Sequence, residues 1–252
     1  MRIATFNILH GRSPVDDEVD VGRFAAAVTT LDADVLALQE VDRNQPRSAN
    51  ADLTAVAADA MGAGEHRFVA ALSGSPGATW MAATGEEQPD SAAYGIALLS
   101  RYPIRSWEVV RLAAVPTRVP MRFTGSRRPV LVRDEPRVAV AASVQTPHGE
   151  LTVVNTHLSF VRWWNRRQLR TLMRATRDAR RMLLVGDLNM DPERAVRISG
   201  LRPLATHATF PADAPREQLD HVLAGGDLPR STATDAPHLP LSDHRALTVD
   251  FG

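Results

Sequence analysis

Apolar and polar positions along this chain follow two rhythms, short continuous apolar runs and stretches of helical spacing. Ile3 to Leu9 is apolar and rich in β-formers, which predicts an opening strand. Behind Asp20, a capping residue, Phe24, Ala27, Val28 and Leu31 recur on one helical face, predicting a helix through Leu31. Val35-Leu36-Ala37-Leu38 is a short buried strand ending at Gln39-Glu40, and Asp52 to Met61 reads as a second helix stopped by Gly62. The opening is therefore β-α-β-α, with acidic or amide residues at or near strand ends.

Ser73 to Pro89 is rich in Gly, Ser and Pro and reads as loop. Tyr94 to Ser100 and Ile104 to Leu112 are strands, and Pro116 to Pro136, with its prolines and arginines, is a long surface excursion. Val138 to Gln145 and Leu151 to Thr156 flank Pro147-His148-Gly149, a hairpin signature. Phe160 to Ala179 is helical, with Leu169, Leu172, Met173 and Thr176 on one side and arginines mostly on the other. Met182 to Val185 is an apolar strand, Pro192 to Ile198 a short helix, and Leu219 to Leu223 and Ala246 to Phe251 the closing strands. With no internal repeat and no linker, the economical reading is one α/β domain with mixed sheets spanning residues 1–252.

Composition narrows the function. The 252 residues are 44% hydrophobic and 23% charged, ordinary for a globular protein. Formal net charge is zero, so no long-range field draws in polyanions, although a local basic patch is compatible with that total. Every basic residue other than histidine is arginine, which suits bidentate phosphate contacts, although a genomic bias gives the same result. The absence of cysteine excludes disulfides, thiolate metal sites and cysteine nucleophiles. No charged leader precedes the first strand and no run approaches the roughly 20 apolar residues that span a bilayer, so the expected location is cytoplasmic by default.

Polar clusters that close apolar strands carry the chemistry. In Val185-Gly186-Asp187-Leu188-Asn189, the Asp and Asn at i, i+2 point to the same side if the strand persists. Such a carboxylate can take a proton from a water while the amide holds transferring oxygens. Leu241-Ser242-Asp243-His244 sets a His beside an acid, and Asp220, in Gln218-Leu219-Asp220-His221, is a candidate for orienting His244. Asn155-Thr156-His157-Leu158 closes another strand. Phe6-Asn7 with Leu38-Gln39-Glu40 offers hard oxygen ligands that suit Mg²⁺.

Taken singly each cluster is weak, since Asp-x-Asn at a strand end is commonly a turn. Their order is specific. With Tyr94-Gly95-Ile96-Ala97-Leu98-Leu99-Ser100-Arg101 between the early and late clusters, the chain resembles the endonuclease/exonuclease/phosphatase superfamily, relatives of deoxyribonuclease I and exonuclease III, over its whole length. The resemblance implies a four-layer α-β-β-α sandwich with the site at one end of two packed mixed sheets. It implies Glu40 as main metal ligand with Asn7 beside it and Asp243 near the metal. Asp187 would activate the attacking water, Asn189 would position the phosphate, His157 would stabilise its charge, and Asp220 and His244 would form an acid–His pair, with His244 either base or cationic clamp. The implied cofactor is Mg²⁺, with Mn²⁺ an alternative. One departure stands out: two positions after Asn7, where some nuclease members have an acid, this chain has Leu9 and then His10.

Substrate contacts are a second tier of expectations. Trp163 of the Trp163-Trp164 pair and Phe210 of Thr209-Phe210-Pro211 are candidate contacts, each weighed against simple packing. Arg127-Arg128, Arg133 and Arg137 are candidates for phosphate docking, set against a solvated loop with Arg137 as a strand-edge ion pair. Arg162, Arg166, Arg167 and Arg170 read as a solvated helix face, with Arg166 or Arg167 placed to reach the site. His10, His207, His221 and His238 match no compact zinc motif and read as structural or solvent-facing. The leading expectation is a Mg²⁺-dependent phosphodiesterase of nuclease type. Alternatives are a phospholipid or small-molecule phosphatase on the same fold, or an inactive binding module. The partner is thus a nucleic acid, a phospholipid head group or a small phosphodiester; no stable protein partner is signalled, and oligomeric state is left open.

Overall fold

The computed structural model describes residues 1–121 and 129–252. With strands and helices numbered in chain order, the first sheet holds β1 (Arg2–Asn7), β2 (Val35–Arg43), β3 (Glu65–Gly74), β4 (Trp80–Ala82), β5 (Ala93–Ser100), β14 (Ser231–Asp235) and β15 (Leu247–Phe251). Its order is β14-β15-β1-β2-β5-β3-β4. The second sheet holds β6 (Ile104–Leu112), β9 (Arg137–Thr146), β10 (Gly149–His157), β11 (Met182–Asp187), β12 (Arg202–Pro203) and β13 (Asp220–Gly225), in the order β12-β13-β11-β10-β9-β6. A small ribbon of β7 (Val119–Met121) and β8 (Val130–Val132) stands apart. Within each large sheet one central pair is parallel, β1 with β2 and β10 with β11, so both sheets are mixed, as expected.

Alternation along the strands explains the layering. Ile3, Val35, Ala37, Ile96 and Leu98 of the first sheet meet Val140, Val153, Leu183, Val185 and Val222 of the second in one buried core. The intervening residues Ala4, Phe6, Leu36 and Leu38 face outward against α1 (Val21–Leu31) and α2 (Leu53–Met61). Val154, Leu184 and Leu223 face outward on the other side against α3 (Arg162–Ala175) and α4 (Pro192–Ser199). The result is the expected α-β-β-α stack.

The helices start and stop where their caps dictate. Asp20 accepts a hydrogen bond from the Arg23 amide and caps α1, whose buried face is Phe24, Ala27, Val28 and Leu31. Asp52 caps α2, and Gly62 ends it in the left-handed region. Helix α3 is shorter than its apolar pattern suggested, ending at Ala175.

Four features depart from the sequence expectation. Strand β3 has no counterpart in the sequence reading, because its polar opening Glu65-His66-Arg67 hides the alternation, and β14 lies among mostly exposed residues. The Ser73–Pro89 loop contains β4, and the Pro116–Pro136 excursion contains the β7–β8 ribbon. Arg127 and Arg128 lie outside the described residues.

A buried amide joins the two sheets just beneath one end of the stack. Asn155 of β10 donates to Leu38 O at 3.0 Å and to Ala97 O at 2.7 Å, reaching β2 and β5 of the opposite sheet. Gln39 donates back to Asn155 Oδ1 at 2.7 Å and to Thr5 Oγ1 at 3.0 Å. All three side chains are fully buried, so each lost partner leaves a polar group without water. Asn155→Ala is therefore expected to destabilise the fold by about 3 kcal/mol, measured by urea denaturation; a loss under about 1 kcal/mol would mean that the clasp adds little.

Candidate active site

The rule that sorts the core also assembles the site. Asn7 continues the inward series Ile3 and Thr5, and Asp187 continues Leu183 and Val185. His157 and Asp187 are register partners across β10 and β11, and Asp187 faces Asp220 across β13. Three strand ends thus deliver His157, Asp187 and Asp220 side by side into the gap between the sheets.

Glu40 arrives differently. Simple alternation would send it outward with Leu36 and Leu38. The β2–β5 register instead slips between Gln39 and Val41, and Glu40 takes a φ of +56°. This bulge turns Glu40 to the end of the gap, where Asn7 Nδ2 donates to its Oε1 at 3.2 Å and to Asp187 Oδ2 at 3.1 Å. A left-handed glutamate is strained backbone, held here by the strands on either side.

Asn189 also departs from expectation. Strand β11 ends at Asp187, and Asn189 sits beyond it with φ +50°. The strand does not persist, so alternation is not what pairs the two. A turn does: the Asn189 amide donates to Asp187 Oδ1 at 2.9 Å. Gly186 permits the approach, since at φ +130° its Cβ would lie 2.0 Å from Thr156 O. Asn189 Nδ2 donates to Leu158 O at 3.0 Å and lies 3.1 Å from His157 Nε2.

The two histidines differ in charge. His244 Nδ1 donates to Asp220 Oδ2 at 2.8 Å, and its Nε2 lies 3.9 Å from Asp187 Oδ2. Burial lowers the His244 pKa, but Asp220 first, then Asp187 and Asp243, override that and raise it to about 10. His157 moves well down, chiefly through burial, then through the positive charges of Arg137 and His244. Arg137 Nη1 lies 3.2 Å from His157 Nδ1, and a guanidinium only donates, so Nδ1 accepts. The proton of neutral His157 then sits on Nε2, which is 3.4 Å from Asp187 Oδ2. Burial pushes Asp187 well above the usual carboxylate range, against the pull of His244.

Of the expected substrate contacts, Arg137 is a correction. It is buried at 6% exposure behind His157, where it fixes the imidazole rather than facing solvent. Phe210 packs on His244, ring centroids 5.0 Å apart. Trp164 is buried and bonds Ala113 O, while Trp163 is 59% exposed. Arg133 is exposed on the excursion. His207, His221 and His238 bond separately to Thr234, Met190 O and Asp213, and His10 stands alone between Arg12 and Arg47.

Two supporting residues escaped the sequence reading. Asn165 of α3 donates to Asn189 O at 2.8 Å, and Ser242 donates to Asn7 O at 2.6 Å while receiving the His244 amide at 3.1 Å. A polar residue on the buried face of an amphipathic helix is the signal that Asn165 gave.

A cation fits this donor set. Glu40 is raised by burial and by the nearby Asp243 charge, partly offset by Asn7, and Asp243 flanks the cluster at the mouth. Asn7 gives its Nδ2 to both carboxylates and its Oδ1 accepts from the Leu9 amide at 3.2 Å, so it would have to turn over to offer oxygen to a cation. Ligand atoms of Asp187, Asp220 and His244 also lie within 4.8 Å of one another. The 2.8 Å bond between His244 and Asp220 occupies two of those groups, so Glu40, Asn7 and Asp243 are the better oxygen set. Beside Asp243 a mainly apolar hollow of about 460 Å³ opens between Pro14, Val15, Ala212 and Leu239.

The sequence profile described as Endonuclease/Exonuclease/phosphatase family matches residues 4–244. No curated protein matches the chain. Among solved structures, an endonuclease/exonuclease/phosphatase from Beutenbergia cavernae is 23% identical, with TM-score 0.66 over 100% of this chain and 72% of its own. Sphingomyelinase C from Streptomyces griseocarneus is 18% identical, with TM-score 0.64 over 100% of this chain and 99% of its own. A beta toxin from Staphylococcus aureus, with bound magnesium ions, is 12% identical, with TM-score 0.65 over 100% and 99%. At these identities the likeness establishes the fold.

The contrast between the histidines is measurable by NMR of the protein in EDTA. His244 is expected to stay an imidazolium through neutral pH and titrate near pH 10, while His157 stays neutral at pH 7. Because the folded pKa lies above the ordinary value of 6.5, the contribution of His244 to stability is complete below that value and fades as pH rises through about 10. Asp220→Asn should bring the midpoint down; a wild-type midpoint near 6.5 would refute the pairing.

Proposed function

The chain belongs to the endonuclease/exonuclease/phosphatase family of phosphoesterase-type hydrolases, and from that premise we propose that it cleaves phosphoester bonds, of phosphodiester type, by attack of an activated water assisted by Mg²⁺ or Mn²⁺. We take the chain as one domain over residues 1–252. The observation that carries this reading is the meeting of Asn7, Glu40, His157, Asp187, Asn189 and the Asp220–His244 pair at one end of the inter-sheet gap.

Each residue has a task that its surroundings support. Asp187, made more basic by burial, accepts a proton from the attacking water, and the Asn189 amide holds its carboxylate in place. Neutral His157 offers its Nε2–H to a phosphoryl oxygen, and Arg137 behind it keeps that tautomer. Asn189 has a second amide hydrogen for the same oxygens beyond the one given to Leu158 O. Cationic His244, held by Asp220, offsets the negative charge that gathers on oxygen in the transition state. Glu40, Asn7 and Asp243 would hold the divalent cation, which when bound supplies further positive charge to the phosphoryl oxygens. The apolar hollow beside Asp243 offers room for the part of the substrate beyond the phosphate.

Hydrolysis of bis-(p-nitrophenyl) phosphate is the test. Turnover is expected with Mg²⁺ or Mn²⁺ and not in EDTA, falling by at least about 10³-fold in Asp187→Ala and about 10²-fold in Glu40→Gln. The Glu40→Gln loss should shrink as metal concentration rises. Turnover indifferent to EDTA would overturn the metal assignment, and silence across phosphodiester, phospholipid and nucleotide substrates would leave an inactive binding module.

A further inference from the structure

We propose that the exposed face of α3 is a docking trough for single-stranded nucleic acid, leading its phosphodiester backbone to the site at the helix's N-terminal end. This rests on the phosphoesterase reading of that site. Arg162, Arg166, Arg170 and Arg174 are all exposed and recur every fourth residue, a row that rises about 6 Å per step and about 18 Å in all while winding about 40° per step around the helix. With Arg167 beside the row and Arg194 of α4 across from it, they line an open trough of about 730 Å³.

The trough is a strong local exception in a chain of net charge zero. Like charges four apart weaken a helix slightly, and a solvated helix face ordinarily relieves them with acidic neighbours. Here, among the described residues, none of the five helix arginines has a carboxylate partner within 4.0 Å; Arg194 alone has one, Asp191 at 3.9 Å. Burial of Leu169 and Leu172 holds the helix in place; of the helix arginines Arg167 stacks on the Trp164 ring at 4.9 Å.

The trough is joined to the site. Helix α3 begins at Arg162, soon after His157 ends β10. Asn165 in its first turns bonds Asn189 O at 2.8 Å, and Arg194 Nη2 bonds Arg162 O at 2.7 Å. A strand lying along the arginines therefore leads to the residues proposed to act on it.

The occupant follows from charge and shape. A row of guanidinium groups suits successive phosphates. Trp163, 59% exposed at the site end of the trough and braced edge-on by Trp164 at 5.3 Å, offers a face for an unpaired base. A membrane surface would call for a broad apolar face. The other large exposed hydrophobic residues, Val15, Met81, Val130 and Leu131, lie on other elements.

The test measures binding of the full chain to a fluorescein-labelled oligothymidylate in EDTA, by anisotropy over a range of salt. Arg166→Glu/Arg170→Glu is expected to weaken binding about tenfold or more and to lower the salt slope by about 1.4. Arg166→Lys/Arg170→Lys should restore much of the slope, and Trp163→Ala should weaken binding with little change in slope. Arg202→Glu/Arg230→Glu, on the exposed surface away from α3, is the control. Equal affinity in wild type and the Arg166/Arg170 variant, an equal loss in the control, or sedimentation with anionic phospholipid vesicles without oligonucleotide binding would overturn the trough. Bis-(p-nitrophenyl) phosphate turnover by the wild type judges the phosphoesterase reading separately: its absence sinks that reading, while the EDTA binding data still judge the trough.

Discussion

Among the described residues the two large sheets share no ladder of main-chain hydrogen bonds, so the site depends on how their faces are held together. Apolar burial supplies attraction without direction. Direction comes from Asn155, whose amide spans the gap to Leu38 O and Ala97 O, and from Gln39, which returns a bond to it. The clasp adjoins the site in sequence on both sides: Glu40 follows Gln39, and His157 lies two residues after Asn155. A shift of one sheet over the other would strand buried amides before it displaced a ligand or a histidine.

Electrostatics in the gap are arranged by depth and by partner. Asp220 is fully buried and bonded to His244, whose charge it sustains. Asp187 is nearly as deep but faces amides and imidazoles, and its proton affinity rises. His157, backed by an arginine, is kept neutral. Two histidines within a few ångströms of Asp187 thus take unlike protonation states, the condition for separating proton transfer from charge stabilisation in one small volume.

Much of this was legible in the sequence because strand alternation is local. Asn7, His157 and Asp187 each close an inward-facing strand series, Asp220 opens one, and the caps at Asp20 and Asp52 announce their helices. What escaped depends on partners distant in sequence or on backbone twists. Strand β3 begins with charged residues whose pairing with β5 is visible only once the sheet forms. Asn189 reads as a strand residue until its left-handed turn is seen. Arg137 reads as a phosphate contact or a strand-edge ion pair, because nothing in its neighbourhood indicates that His157, 20 residues later, folds over it.

The bulge at Glu40 has a further consequence for how this strand can change. Up to Gln39, odd-numbered residues of β2 face the inter-sheet core; beyond the bulge Val41, also odd, packs among the outer residues against the helices, and Asp42 is bound by Arg47 at 2.7 Å. Glu40 is therefore a phase marker as well as a side chain. Exchanging it alters one functional group. Deleting it would remove the extra residue and restore plain alternation, leaving Val41 toward the helices as it already is, so the pleat would survive while the carboxylate at the gap is lost. The extra residue thus serves the site alone: it carries a side chain to the mouth of the gap at no cost to the facing of the residues beyond it.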